Sequence, residues 1–177
     1  MTVLHSVTNN GAFDVEIAPW ALSVMAKDGV EVVPQTSRET GLLGNRILAL
    51  WPYSNMSDDR VYWGKKYITV KQDRNAVCNF KFGSTNEDGY AAYFVNDCMF
   101  VKQYTHVTGG NYPDFGVSYE TFTNNHFLEI ESLGQLKTLS HGDSAYHTEV
   151  WRVIPNIACP GNDEDKIATT VLPYVKK

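Results

Sequence analysis

Apolar and polar residues alternate with a period of two along most of the chain, which is the mark of half-buried β-strands. Residues 2–8, TVLHSVT, read as a strand that turns at Asn9-Asn10-Gly11 into a hairpin partner from Phe13 to Ile17. Trp20 to Ala26 is an unbroken apolar run, expected to be a strand covered on both faces. Lys27-Asp28-Gly29 turns the chain into Val30 to Val33, which stops at Pro34. Residues 34–45 have loop composition, and Arg46 to Trp51 reads as a short buried strand ended by Pro52. Further strands follow over Tyr67 to Lys71 and Val77 to Phe82, the latter with Cys78, Phe80 and Phe82 on one face and Asn79 and Lys81 opposite. Tyr90 to Val95 and Met99 to Tyr104 form a hairpin around Asn96-Asp97, and residues 105–116 form a second long loop.

The stretch from Ser118 to Trp151 predicts hairpins about Asn124-Asn125 and Leu133-Gly134, then a turn at His141-Gly142-Asp143 into a last long strand, Ala145 to Ile154. The pattern then changes. Asn162-Asp163-Glu164-Asp165 suits a helix start, and a short helix is predicted from Asp163 to Leu172, before Pro173. Many short strands without strand–helix alternation predict an all-β fold, an antiparallel β-sandwich with a short C-terminal helix. The length of 177 residues fits one domain: a sandwich over 1–155 and a tail with the helix over 156–177.

Composition narrows the function classes. A net charge of −5 argues against a nucleic-acid partner and against an anionic membrane surface. No run approaches the ~20 apolar residues of a membrane span, and the N-terminus carries no charged-then-apolar leader pattern. Cys78, Cys98 and Cys159 are odd in number and form no CxxC, so reduced and mostly buried thiols of a cytoplasmic protein are expected. No HxH, HExxH, phosphate-loop or nucleophile-elbow spacing occurs, so neither a metal nor a cofactor is expected.

Four carboxylates lie on the strands of the central stretch: Glu120, Glu129, Glu131 and Glu149. Strands normally avoid Glu, which leaves a solvated sheet face or the floor of a polar cleft. Alternation puts Glu129 and Glu131 on one face, ~7 Å apart, opposite Leu128 and Ile130. Antiparallel pairing through Asn124-Asn125 brings Glu120 beside them, and like charges so placed need a cation or ligand between them. Arg46, Lys71, Lys102 and Arg152 are the strand-borne basic candidates for that place. Trp51 and Tyr53 flank Pro52 at the mouth of a polar loop, where aromatic rings can stack on a flat ligand.

The segments FVKQYTH, NYPDFGVSYETFTNNHFLEIESLGQLKTLSHGDSAYHTEVW, VTNNGAFDVEIAPWALSVM and LALWPYSNMSDDRVYWGKKYITVKQD together resemble the galactose mutarotase-like superfamily, in a bacterial branch with no established reaction. The resemblance spans about residues 2–154. It implies a β-supersandwich with a sugar-binding face, shortened at its N-terminus, and a Glu general base matching Glu131, with Glu129 one register away. The family's acid His falls at Ala18, so that group is missing. The implied partners are a sugar or sugar phosphate, and a second copy of the chain to cover what the absent strands would cover. Three readings stay open: a non-catalytic carbohydrate-binding domain, an aldose or sugar-phosphate 1-epimerase, and an assembly protein without a sugar ligand.

Overall fold

A computed structural model describes residues 1–175, and it is an antiparallel β-sandwich with one C-terminal helix. Fourteen strands run in chain order: β1 Thr2–Thr8, β2 Val15–Ile17, β3 Trp20–Met25, β4 Val30–Pro34, β5 Leu48–Leu50, β6 Val61–Trp63, β7 Tyr67–Lys71, β8 Phe80–Ser84, β9 Tyr90–Val95, β10 Cys98–Tyr104, β11 Tyr119–Thr123, β12 Leu128–Leu133, β13 Lys137–Leu139 and β14 Ser144–Pro155. The helix α1 covers Glu164–Val175. A seven-stranded sheet has the order β1-β14-β10-β9-β4-β7-β6, and a five-stranded sheet the order β3-β12-β11-β8-β5. Strands β13 and β2 form a separate ribbon.

The two large sheets pack face to face over Val33, Ile68, Val70, Phe80, Phe82, Tyr93, Leu128 and Ile130, all essentially inaccessible. Helix α1 lays Ile167, Val171 and Val175 on the other side of the seven-stranded sheet, against Val32, Ala92, Phe94, Met99 and Val101. Strands β4 and β9 are thus covered on both sides, which is why they read as nearly continuous apolar runs. Asp163 caps the helix by accepting the Lys166 N–H at 3.1 Å, and Glu164 Oε1 accepts the Lys66 and Tyr67 N–H groups at 2.6 and 3.0 Å. The helix therefore starts where its sequence predicts but runs through Pro173 in its last turn, where only one backbone bond is forfeited.

Local turn chemistry places two hairpins as expected. Asn96 and Asp97 take φ of 51° and 54° between β9 and β10, as a two-residue hairpin turn requires. Asn124 Oδ1 accepts the His126 and Phe127 N–H groups and closes β11 on β12. Elsewhere distant pairing overrides local signals. β1 pairs along its full length with β14, and β2 pairs with β13, so Asn9-Asn10-Gly11 makes no hairpin. The Asn9 side chain instead donates to Phe13 and Leu139 carbonyls at 2.9 and 2.8 Å. Likewise Leu133-Gly134 sends the chain out of the five-stranded sheet, because β12 takes β3 as its second partner.

Three expectations of burial are corrected. Strand β3 is an edge strand, with Trp20 54%, Leu22 41% and Val24 64% exposed on the face away from the core. Strand β5 is the opposite edge and only partly covered. Cys78 precedes β8 and is exposed, as is Cys159, while Cys98 is half-buried.

Candidate functional site

The register of the five-stranded sheet assembles the site. Glu120 of β11 lies directly opposite Glu131 of β12, with Gly83 of β8 and Leu22 of β3 in the same row. Phe122 pairs with Glu129 on one side and Lys81 of β8 on the other. Because side chains alternate, these residues share the sheet face turned away from the core. Tyr119, Thr121, Leu128 and Ile130 point the other way, into it.

Lys81 bridges the two opposed carboxylates. Its Nζ lies 2.7 Å from Glu120 Oε2 and 2.9 Å from Glu131 Oε2, and it is almost wholly buried between them. Trp20 Nε1 donates to Glu131 Oε2 at 2.7 Å. The ammonium also sits 4.9 Å from the Trp20 ring and 4.8 Å from the Trp51 ring, so two indoles flank the charge. Ser54 fixes this wall: its hydroxyl donates to the Lys81 carbonyl at 2.6 Å and accepts the Lys81 N–H at 2.7 Å. That clamp holds the Trp51–Tyr53 bend against β8, where Tyr53 meets Phe122 edge-on at 6.4 Å. On the same face Val117 covers Gly83 of β8, where a Cβ would meet it at 2.8 Å.

Charge and burial are balanced unevenly here. Burial draws the Lys81 ammonium down, but its bonds to Glu120 and Glu131 outweigh this and leave it above the ordinary lysine range. Burial pushes Glu120 up to about 7, with the neighbouring Asp114 and Glu131 carboxyls adding to it and Lys81 opposing. Glu129 is half-buried at the rim and raised by burial and by Glu131. Glu120 Oε1 is buried and accepts no hydrogen bond from an N–H or hydroxyl of the described residues, and the Asp114 carboxyl beside Glu120 can pair with it only when one of the two holds a proton. Asp114, whose carboxyl neighbours Glu120, and the exposed Phe115 after it carry φ of 49° and 69°, unusual for residues other than glycine.

Of the residues singled out by sequence, Glu120, Glu131, Trp51 and Tyr53 come together on this face, with Glu129 at its edge. Four others stand apart, among them Arg152 on β14 of the other sheet, bonded to Gln103. Arg46 is exposed in the loop before β5, bonded to Gln35 and Asn45. Lys71 is exposed at the end of β7 in the other sheet. Lys102 lies between the sheets, where it binds Glu149 Oε1 at 2.8 Å. Glu149 is therefore an interior group and no part of the face. The cation between the glutamates is Lys81, which sequence reasoning placed on the polar side of its strand without linking it to them; its signal was a lone Lys between Phe80 and Phe82. Trp20 opens a run expected to be covered on both faces, yet it holds Glu131. Among the described residues no cluster of His, Cys, Asp and Glu suits a metal ion, and no helix is long and apolar enough to cross a membrane.

No family model and no curated protein matches the chain. Among solved structures, a putative aldose 1-epimerase from Escherichia coli K12 is similar over 86% of this chain and 55% of its own, at 14% identity and a TM-score of 0.40. The chain thus spans about half the length of that protein, and a likeness at that level says nothing of substrate or mechanism.

Proposed function

We propose that the Lys81–Glu120–Glu131 face binds a carbohydrate. The observation that carries this reading is the unpartnered, buried Glu120 Oε1 beside a buried ammonium, walled by Trp20, Trp51 and Tyr53. A sugar hydroxyl supplies the donor that Glu120 Oε1 lacks, and its C–H faces suit aromatic walls. Phosphate on the sugar would add a contact for Lys81, so free sugars and sugar phosphates are both candidate ligands.

A second reading follows from Glu120 being raised to about 7. A carboxyl poised there both gives and takes protons near neutral pH, as interconversion of anomers requires. On this reading Glu120 moves the proton, Glu131 and Glu129 set its field, and no His supplies the acid, since Ala18 stands where the resemblance expects one.

Calorimetric titration with a panel of hexoses, pentoses and their phosphates tests the first reading, with Trp fluorescence as a second readout. Saturable binding that Lys81→Met weakens at least tenfold is the expected result. Failure of every sugar and sugar phosphate at millimolar concentration overturns it. Polarimetry on freshly dissolved glucose and galactose tests the second reading, which predicts acceleration abolished by Glu120→Gln.

A further inference from the structure

The interior group around Glu149 ends at a cavity that the sugar-facing site does not use. Ala145, His147, Glu149 and Trp151 alternate onto the core side of β14. Glu149 Oε1 receives Lys102 Nζ at 2.8 Å and Ser132 Oγ at 2.6 Å. Its Oε2 meets Trp151 Nε1 at 2.9 Å and His5 Nε2 at 3.1 Å. Ser132 Oγ also lies 2.6 Å from His147 Nε2. The His147 ring stacks on His5 and forms part of the wall of a cavity of about 230 Å³, with Pro19, Thr105, Tyr112, Gln135 and Lys137.

Proton counting fixes how His147 is presented. The Glu149 carboxyl is held below the ordinary range because the ammonium of Lys102 and the donors around it outweigh the cost of burial. An ionised carboxylate only accepts. Ser132 has one proton, and the contact to Glu149 uses it. Ser132 Oγ can then only accept from His147, so His147 Nε2 carries the hydrogen and Nδ1 is a bare lone pair. Burial lowers His147 and keeps the ring neutral at pH 7. Nδ1 has no hydrogen-bond partner among the described residues. The hydroxyl of Tyr112, which also lines the cavity, accepts the Val107 N–H at 2.9 Å, which leaves its own proton to donate.

We propose that this cavity binds a small hydroxyl-bearing molecule, a triol, a tetrol or a sugar, through a hydrogen bond donated to His147 Nδ1 and another accepted from Tyr112. A hydroxyl group is both donor and acceptor and satisfies both walls at once. A carboxylate or phosphate without a proton would set a lone pair against the lone pair of Nδ1. The site is separate from the Lys81 face, because Ser132 and Glu131 point to opposite sides of β12.

The test uses the whole chain with ¹⁵N-labelled histidine. The expected spectrum shows His147 protonated at Nε2 and bare at Nδ1. Adding glycerol or erythritol should shift the Nδ1 resonance saturably, while 1,2-dimethoxyethane, which has oxygens but no donor, should leave it in place. His147→Phe should weaken polyol binding at least tenfold, and because the resonance followed belongs to His147 itself, its response separates failure here from failure of the carbohydrate face. A proton on Nδ1, a resonance unmoved by every polyol, an equal response to dimethoxyethane, or unchanged affinity in His147→Phe would each overturn the proposal. If His147→Phe does not fold, the nitrogen titration of the unmodified chain decides alone.

Discussion

Two lysines in this molecule are buried against glutamates, Lys81 against two and Lys102 against one. Between the sheets, Glu149 has both oxygens occupied, by Lys102 and Ser132 on one and by Trp151 and His5 on the other. On the outer face, Glu120 has one oxygen on Lys81 and the other without a partner. The first carboxyl is held ionised, and the second is raised to about 7. Burial does not separate the two centres, since both lysines are almost wholly buried, and the second carboxylate on Lys81 is only part of the difference. What separates them is whether the hydrogen bonds close within the protein. A closed group ties strands together, and an unclosed one leaves a buried polar atom unsatisfied.

The comparison is broken most directly by Glu149→Ala. It strands the fully buried Lys102 ammonium among the Ala21 and Ile130 carbonyls, and a buried charge that loses its partner costs about 3–5 kcal/mol. Urea unfolding should show that loss. A change under about 1 kcal/mol would mean that Lys102 is neutral or reaches water, and the closed group would not be a structural tie.

Lys81→Met is the matching change on the open face. It leaves Glu120 and Glu131 opposed in register with no cation between them. One of the two then retains its proton at neutral pH, and that escape limits the loss to about 2–3 kcal/mol. Chemical denaturation reads the stability, and sugar titration reads the accompanying loss of binding. A loss equal to that of Glu149→Ala would make the two centres equivalent and remove the basis for calling one of them open.

Much of this contrast was legible in the residues, and the missing part has a physical reason. Alternation alone grouped Glu129 with Glu131, and the Asn124-Asn125 turn set Glu120 across from them, because register follows from a two-residue turn and a period of two. Those same rules are silent on which strand lies next. β8 joins β11 from 35 or more residues away, so alternation puts Lys81 on a polar face without showing what it pairs with. The four carboxylates looked like one group in sequence, yet β14 belongs to the other sheet, and Glu149 went to the interior with it. Trp20 misled for a related reason: an unbroken apolar run reads as a covered strand, whereas β3 is an edge whose outward residues serve the site.

Titration sharpens the comparison without mutation. Glu31 in the core is raised to about 8 by burial, against the hydrogen bond from Tyr119, and Glu120 is raised to about 7. A carboxyl raised in the folded state holds a proton that the unfolded chain releases above about 4.5, so each group favours folding at low pH and loses that contribution as pH rises through its folded value. His147 and His106 are lowered by burial and act in the opposite direction, but only below their ordinary 6.5. Between pH 6.5 and 8 the carboxyls alone of these groups remain, and stability should fall by at most about 1.4 kcal/mol per pH unit for each. Glu31→Gln should flatten the part above pH 7. A sugar bound to the outer face should move the carboxyl ¹³C titration of Glu120 and leave Glu31 in place.

The smallest effect makes the finest test, because the same atom can be removed from both centres. Trp20 Nε1 donates to Glu131 Oε2 at 2.7 Å, and Trp151 Nε1 donates to Glu149 Oε2 at 2.9 Å. Replacing either by Phe deletes one indole N–H and keeps a ring. At Trp151 the oxygen left behind is sealed between the sheets with only His5, and the loss should be about 1.5 kcal/mol. At Trp20 the ring is half in solvent and Lys81 still holds the same oxygen, so the loss should be below about 1 kcal/mol. The order of the two losses matters more than their size. Equal losses would mean that water reaches Glu149 as readily as Glu131, and the interior group would then be as open to a ligand as the outer face.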